Sequence, residues 1–449
     1  MRSRPCFPKL FICILLAPIC CLQAQEATTG GDNAPLTARE RAMLERIEKL
    51  EQRLAALESQ KSAPGAQQVA TVPVIPPPAG EKATAPAETR PTDAIQTHVK
   101  AYGRVEMDAI YSSRGTNPLD PRQFNGYSTA AGPERTSSAT FNPRFSVIGL
   151  EAGAHKGDQS LNAKVEVDFY STDSANLITP RLRLAYIDYT RRDTRATFGM
   201  DWVPVAALLP DLMDFSIMGY SGNLWQRIPQ VTLRQKFGKN WEVLGTAFRF
   251  ERGFTLQPAP YVKDPFTDPV KAPYIGTRIA YQNWGAGNSG MIAVSGAYRQ
   301  FDYPTNGRTV KSDLISLELA VPIVDKLHWN TKIAHGQGLG DEFFRFGQGY
   351  NGDVAIKTTT GWTELTYSPI KRVAFAGGFG LDNPLGKDLV GISNNSLNYH
   401  RNARVFVNSF FGLFENLKFG LELNYLHTNW TNGDMFTGYQ PMASVFYTF

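Results

Sequence analysis

The sequence predicts an all-β fold, namely a 16-stranded antiparallel transmembrane β-barrel preceded by a short N-terminal coiled-coil helix. Three observations support this prediction. Segments in which apolar and polar residues alternate recur from Val99 to Phe449. The connections between these segments are alternately short and long. The chain begins with a stretch typical of secreted proteins. The alternation matters most, because successive side chains of a strand point to opposite faces of a sheet.

The alternation is clearest in Leu161–Phe169, where every odd position is apolar and every even position is polar or charged. Such a strand fits a soluble sandwich, whose apolar face is the core. It also fits a membrane barrel, whose apolar face meets lipid and whose polar face meets a wet lumen. The length of about nine residues suits a tilted strand that crosses the hydrocarbon.

The connections decide between these two settings. Short turns alternate with mostly long loops, which is the layout of an outer-membrane barrel, whereas a soluble sandwich has no reason to sort its loops in this way. The even strand count places both ends of the barrel, and with them the N-terminal region, in the periplasm. The predicted strands are 99–113, 141–153, 160–171, 181–191, 195–203, 225–237, 241–252, 273–282, 290–301, 311–321, 327–337, 355–368, 372–381, 399–412, 416–428 and 438–449.

Aromatic residues near the predicted strand ends are expected to form a girdle at the membrane interfaces. The last strand ends at Phe449, which resembles the signal that barrel-assembly machinery recognises in outer-membrane proteins. We therefore expect a Gram-negative host, this machinery as a partner, and outer-membrane lipid and lipopolysaccharide around the barrel. The girdle candidates are Trp202, Trp241, Trp329, Trp362 and Tyr447.

The N-terminal quarter of the chain divides into three segments. Residues 1–24 combine a basic start, a short apolar run and Leu22-Gln-Ala24, which is typical of a secretory signal peptide. Residues 36–60 carry apolar positions at a 4-3 spacing and predict a periplasmic coiled coil, or else a lone amphipathic helix. Residues 61–97 form a Pro/Ala-rich linker, and residues 98–449 form the barrel.

Composition excludes several classes of protein. All four cysteines lie in the first 21 residues, so the predicted mature chain has no disulfide framework, thiolate metal site or cysteine nucleophile. After the signal peptide the formal charge is +2 and no basic block remains, which argues against nucleic acid as a partner. No nucleophile elbow or phosphate loop is present, and we expect no enzymatic activity, no cofactor and no metal site.

The polar faces of the predicted strands carry more basic than acidic residues, which favours anions in the lumen. Alternatively, many of these charges pair across neighbouring strands. The connection 204–224 is mostly apolar and should be buried, either by folding into the lumen and narrowing it or by packing between subunits. The pore-lining and constriction candidates are Arg104, Arg181, Arg183, Arg234, Arg278, Arg299 and Arg404, with Asp211 and Asp214 of this loop facing some of the arginines.

The order of signal peptide, short coiled coil and 16-stranded barrel resembles that of the DcaP-like trimeric porins, and the sucrose porins share this N-terminal plan. Local strings in the first half of the barrel are also similar, namely Arg144–Leu150, Ala163–Phe169, Arg181–Tyr186, Phe198–Pro204 and Arg227–Val231. The resemblance implies a homotrimer, an inward-folded loop and passive uptake of small anionic solutes such as dicarboxylates. It assigns no substrate-binding residue.

The residues and the resemblance together lead to two hypotheses of different kinds. The first is an outer-membrane porin, a passive diffusion channel for small hydrophilic anionic solutes, located in the outer membrane with its N-terminal region in the periplasm. The second is a structural tether that links the outer membrane to the cell wall through the coiled coil. The sequence does not decide between these functions for the N-terminal region.

Overall fold

The structure, a computed structural model, describes residues 95–113, 137–172, 178–213, 217–219, 221–249, 273–302, 307–339, 349–392 and 399–449. They belong to one compact unit, Glu88–Phe449. The predicted signal peptide, coiled coil and linker lie outside the described residues and stay predictions. In the part of the chain that is described, no helix is both long enough and apolar enough to cross a membrane.

The described chain is almost entirely β-strand, and each predicted strand is present with ends shifted by a few residues. The strands are β1 Gln96–Ser112, β2 Ser138–Asn142, β3 Val147–Lys156, β4 Gln159–Thr172, β5 Ile178–Arg191, β6 Thr194–Trp202, β7 Arg227–Phe237, β8 Trp241–Phe248, β9 Tyr274–Trp284, β10 Gly290–Asp302, β11 Thr309–Val324, β12 Leu327–Gln337, β13 Tyr350–Asn351, β14 Val354–Ala355, β15 Lys357–Ile370, β16 Val373–Pro384, β17 Tyr399–Gly412, β18 Leu417–Trp430 and β19 Met435–Thr448.

The strands form one closed antiparallel ring. Strand β1 pairs with β19 on one side and with β2 and β3 on the other, and every further pair is antiparallel. Strands β2 and β3 together take one position, so the described ring has 16 positions; β13 and β14 form a separate hairpin. The prediction of a 16-stranded antiparallel barrel is thus confirmed.

The second predicted strand, 141–153, differs from the structure because it is interrupted. Pro143 has no N–H to donate to a neighbouring strand, and the chain turns there, with Ser146 N–H donating to the Pro143 carbonyl at 3.1 Å. The strand resumes at Val147.

The two faces of the ring have opposite chemistry. On β4, Val165 is 50% exposed on the outer face, whereas Asp168 on the inner face is fully buried. On β18, Leu421 and Leu423 are also exposed, whereas Glu422 between them is 3% exposed. Apolar side chains outside and ionic side chains inside are the arrangement of a membrane barrel, since a water-soluble fold would bury the apolar set.

The predicted aromatic girdle is correct for three residues and wrong for two. Trp241, Trp329 and Tyr447 are exposed near the short turns. Trp362 is 2% exposed, and its indole N–H donates to Asn223 inside the ring. Trp202 also lies inside, against the Arg227 guanidinium at 5.3 Å. Trp202 is the last residue of β6, where the inner connection to β7 begins, and Trp362 of β15 contacts the same connection through Asn223, so both tryptophans face this connection and not lipid.

We expect the substitution Val165→Arg to destabilise the folded barrel by about 2–4 kcal/mol, because a charge on the lipid face near mid-membrane must leave water. The matched control is Asn162→Arg on the inner face of the same strand, which should cost much less. Denaturant titrations of each variant folded in lipid vesicles would measure the loss in free energy of unfolding. Equal losses for the two variants would show that the outer face of β4 is not in lipid.

Candidate functional site: a loop-lined constriction inside the barrel

The connection between β6 and β7 folds into the interior of the ring. We call residues 203–226 the constriction loop; its residues 214–216 and 220 are not described. Its base is closed by the Val203 N–H, which donates to the Gln226 carbonyl at 2.7 Å. Val205 and Ala206 pack with Leu314 and Ala334 of the wall, in agreement with the prediction that this apolar segment is buried inside the lumen. The loop's apolar side chains are shielded from water by this packing.

Lys332 of β12 attaches the loop through three hydrogen bonds. Its side chain is fully buried, and Nζ donates to the carbonyls of Ala206, Leu208 and Leu224 at 2.7, 2.7 and 2.8 Å. All three ammonium donors therefore have partners on the loop. Since these carbonyls lie on both arms of the loop, one side chain fixes both arms against the wall.

Carboxylates of the wall accept the loop's backbone amides. The Leu208 amide donates to Glu318 of β11 at 2.5 Å. The Asp211 amide donates to Glu364 of β15 at 3.0 Å, and the Met213 amide donates to Glu422 of β18 at 2.8 Å. These acceptors satisfy main-chain donors that the loop, lacking a strand partner, would otherwise leave unpaired.

Neutral side chains complete the attachment. Asn408 of β17 donates to the Asp211 carbonyl at 2.7 Å, and Asn402 of the same strand donates to the Ser221 hydroxyl at 3.1 Å. The wall is also shaped for close approach. A Cβ at Gly380 of β16 would lie 2.1 Å from the Ser221 carbonyl oxygen, so only glycine lets the loop reach the sheet there.

Backbone strain marks the first arm of the loop. Ala206 has φ +54°, a left-handed conformation that costs a non-glycine residue about 1 kcal/mol. Its amide donates to the Ser295 hydroxyl at 2.9 Å, and its carbonyl accepts from Lys332. The wall therefore binds both the N–H and the C=O of Ala206. These two hydrogen bonds hold the residue in a conformation that the free loop would not favour.

The wall on the other side of the ring carries four neighbouring arginines, which we call the arginine cluster: Arg144, Arg181, Arg183 and Arg227. Arg181 of β5 holds both carboxylate oxygens of Asp168, at 3.0 and 2.7 Å, and Arg183 binds Asp168 at 3.0 Å and Glu166 at 2.7 Å. Arg227 of β7 lies 3.9 Å from the same Asp168 carboxylate. A carboxylate gripped by several guanidinium groups shows the bidentate geometry for which arginine is suited.

Aromatic rings are interleaved with these guanidinium groups. Arg144 and Arg181 lie over the Tyr170 ring at 4.7 and 5.0 Å, and Arg227 lies over the rings of Trp202 and Trp225 at 5.3 and 5.6 Å. Such cation–π contacts hold each guanidinium plane in place.

The other predicted arginines also point inward, each with its own neighbour. Arg104 binds Glu106 at 2.6 Å and Arg234 binds Glu242 at 3.2 Å. Arg278 binds Glu318 at 2.9 Å and Arg404 binds Glu422 at 2.8 Å. Arg299 lies over the Tyr274 ring at 4.3 Å. The alternative of charge pairing across strands therefore describes most of these arginines, and their role as pore-lining residues stays a prediction.

The two predicted loop aspartates have different outcomes. Asp214 lies outside the described residues. Asp211 contacts the wall through its main chain, and no ion pair joins it to an arginine among the described residues; that its side chain faces some of the arginines across the lumen stays a prediction. Its side chain is exposed in the lumen. Among the described residues no group of three or more His, Asp or Glu side chains is placed to hold a metal ion.

Sequence reasoning missed Arg144, Arg227 and the anchoring function of Lys332. Arg144 falls in the break between β2 and β3, and Arg227 falls at the first residue of β7, where the alternation has not yet started. Lys332 lies on the inner face of β12, but its partners are 108 to 126 residues away along the chain, which strand patterning does not reveal.

Comparisons with known proteins show the fold. No family model matches the sequence, and no curated protein matches it. The outer membrane channel DcaP of Acinetobacter baumannii superposes with a TM-score of 0.66 at 16% identity, over 79% of this chain and 97% of that one. An anion-selective porin from Comamonas acidovorans gives 0.52 at 11% identity, over 79% and 100%. OmpF of Salmonella typhi in complex with daunomycin gives 0.53 at 10% identity, over 78% and 97%. The DcaP-like fold implied by the sequence is therefore confirmed.

We expect Lys332→Met to release both arms of the constriction loop, because three carbonyls lose their shared donor at about 1–3 kcal/mol each. The loop should become sensitive to added protease in detergent, while the barrel strands remain resistant. The control is Lys418→Met, an exposed lysine near a short turn. Equal protease resistance of the Lys332 variant and the unchanged protein would contradict the anchoring role.

Proposed function

We propose that the protein is an outer-membrane porin of a Gram-negative bacterium, a passive diffusion channel for small hydrophilic anions, dicarboxylates included. The observation that carries this proposal is the apposition of two unlike walls. The constriction loop covers the wall formed by β10 to β18, and the arginine cluster occupies the wall formed by β4 to β7. The path left for a solute runs between them.

Charge along this path supports anions. In this cluster Arg181, Arg183 and Arg227 lie within 4 Å of the carboxylate of Asp168, and Arg144 donates to the main-chain carbonyls of Phe169 and Tyr170. On the opposite wall the acids that hold the loop are 0 to 3% exposed. Guanidinium groups gathered on one wall of a pore raise the local anion concentration and the rate of anion entry.

The cluster also supports a preference for carboxylates. Asp168 already occupies it as an internal carboxylate, which shows that three guanidinium groups can converge on one such group. A passing dicarboxylate would exchange contacts among these donors, while the rings of Tyr170 and Trp202 would contact its apolar body. The neighbour from Comamonas acidovorans is described as anion-selective, which is consistent with this proposal.

The proposal includes a homotrimer whose N-terminal region lies in the periplasm. The predicted coiled coil at residues 36–60 would join three chains there, and the outer faces of the barrels would meet lipid and lipopolysaccharide. Purified full-length protein in planar bilayers should give stepwise conductance that closes in three steps, with a reversal potential in a salt gradient that favours anions. Absence of conductance across salts and voltages would rule out the porin function.

The arginine cluster gives a sharper test. We expect the double substitution Arg181→Gln and Arg183→Gln to lower the anion-to-cation permeability ratio about threefold, because two of the charges facing the solute are removed. Reversal potentials in a potassium chloride gradient measure the ratio. Arg192→Gln, on an exposed short turn where the side chain is 76% exposed, is the control and should leave it unchanged. An unchanged ratio in the double variant would show that selectivity is set elsewhere.

A further inference from the structure

The rim of the barrel above β15, β16 and β17 carries three exposed cations, which we call the rim cations. Lys357 is the first residue of β15, Lys387 follows the end of β16, and Arg401 is the third residue of β17. Long connections lead into β15 and β17, so these strands begin at the end of the barrel opposite the short turns. The orientation proposed above places this rim on the extracellular side.

Two of these cations lie on the outer face of the sheet and close to each other. Their chain neighbours Thr358 and Asn402 are buried on the inner face, so Lys357 and Arg401 face outward. Strand β16 lies between them, and the Arg401 Nε donates to the Asn383 side-chain oxygen at 3.3 Å. Since one strand separates the two cations, they lie about 10 Å apart across the sheet.

The rim cations have no carboxylate partner in the part of the chain that is described. Arg308, at the same end of the barrel, pairs with Asp353 at 2.9 Å, whereas no described carboxylate forms an ion pair with a rim cation. One acid, Asp388, lies beside them, and its Oδ2 accepts the Lys357 main-chain amide at 3.0 Å. Three exposed cations beside this one acid make the patch positive, and their charged groups remain open to an anionic partner.

The outer face directly below the rim cations is apolar. Phe379 of β16 and Val405 and Val407 of β17 are 42, 44 and 55% exposed on the lipid side. A molecule that fits both levels has an anionic head at the height of the cations and hydrocarbon chains below it. Phosphate groups suit such a head, because ammonium and guanidinium groups form strong charge-assisted hydrogen bonds with phosphate oxygens.

We propose that this patch is a binding site for the phosphorylated glycolipid of the outer leaflet, lipopolysaccharide. Its lipid A phosphates would lie at Lys357 and Arg401, and its acyl chains would cover Phe379 and Val405. The commitment to a glycolipid follows from the extracellular position of the rim, since lipopolysaccharide is the lipid that the outer leaflet presents there. This inference rests on the proposed outer-membrane location and goes beyond the channel function, because it assigns a lipid site outside the pore.

The experiment titrates the full-length protein in detergent with purified lipid A that carries two phosphates, and native mass spectrometry counts the lipid bound per chain. The double substitution Lys357→Gln and Arg401→Gln should raise the lipid concentration at half-saturation about tenfold, because two charge-assisted contacts are lost. The control pair Lys326→Gln and Lys371→Gln removes the same charge from two exposed short turns and should leave binding unchanged. Lipid A without phosphates should bind equally weakly to the unchanged protein and to the rim variant.

Three results would overturn the inference. The first is equal half-saturation of the rim variant and the unchanged protein. The second is an equal loss in the control pair, which would mean that overall charge attracts the lipid. The third is binding of phosphatidylglycerol as tight as that of lipid A and equally reduced in the rim variant, which would mean that any anionic lipid suffices.

The lipid titration does not depend on conductance, so the two proposals can fail separately. A protein without conductance that binds lipid A as expected would lose the channel function and keep this site. A rim variant with normal conductance and unaltered lipid binding would lose the site and keep the channel. If the double variant does not assemble, Lys357→Gln and Arg401→Gln are tested singly, and each should raise half-saturation about threefold.

Discussion

The structure depends on closure of the sheet, because a backbone N–H or C=O in hydrocarbon must find its partner within the protein. An open sheet would leave two edges unpaired in lipid. Here β1 pairs with β19 from Arg104↔Thr448 to Ile110↔Met442, and the terminal residue continues the seam through two 3.1 Å hydrogen bonds between Phe449 and Gly103. A Cβ at Gly103 would lie 2.6 Å from the Val147 carbonyl oxygen of β3, so glycine lets β1 pack between β3 and β19 at this point.

Closure creates a second constraint. The interior of the closed ring must be polar enough to hold water, and it must also accommodate an apolar loop. The wall solves this by specialising its two halves. One half supplies acceptors and donors that match the loop's main chain, such as Glu364 for the Asp211 amide and Lys332 for the Ala206 carbonyl. The other half keeps arginines beside aromatic rings. The two halves of the wall therefore differ in chemistry: one binds the loop, and the other presents guanidinium groups.

The barrel could be predicted from the sequence because each strand encodes its two faces locally. The alternation in Leu161–Phe169 places Val165 outside and Asp168 inside without any long-range information, and all sixteen predicted strands are present in the described chain. The break at Pro143 was missed because the alternation continues on both sides of it. Trp202 and Trp362 were placed in the girdle because a position near a strand end does not specify a face.

The candidate site was less predictable, because its contacts join residues far apart in the chain. The separations are 110 residues for Leu208 and Glu318, 153 for Asp211 and Glu364, and 209 for Met213 and Glu422. Patterning indicates that these glutamates point inward, but it cannot indicate that a loop amide will meet them. Patterning places Asp211 in the loop, but it cannot indicate that its main chain binds Glu364 and Asn408.

The face of each strand residue is the most direct test of the central claim, that a ring with a lipid-facing skin encloses a wet, ionic lumen. All four cysteines of the chain lie within the predicted signal peptide, so protein that begins after residue 24 would carry a single introduced cysteine in the barrel as its one thiol. Along β4 we would introduce Leu161→Cys, Asn162→Cys and Val165→Cys and label protein in vesicles with a charged, water-soluble thiol reagent. The account predicts rapid labelling at position 162 and protection at positions 161 and 165. Labelling of 161 and 165 with protection of 162 would contradict it.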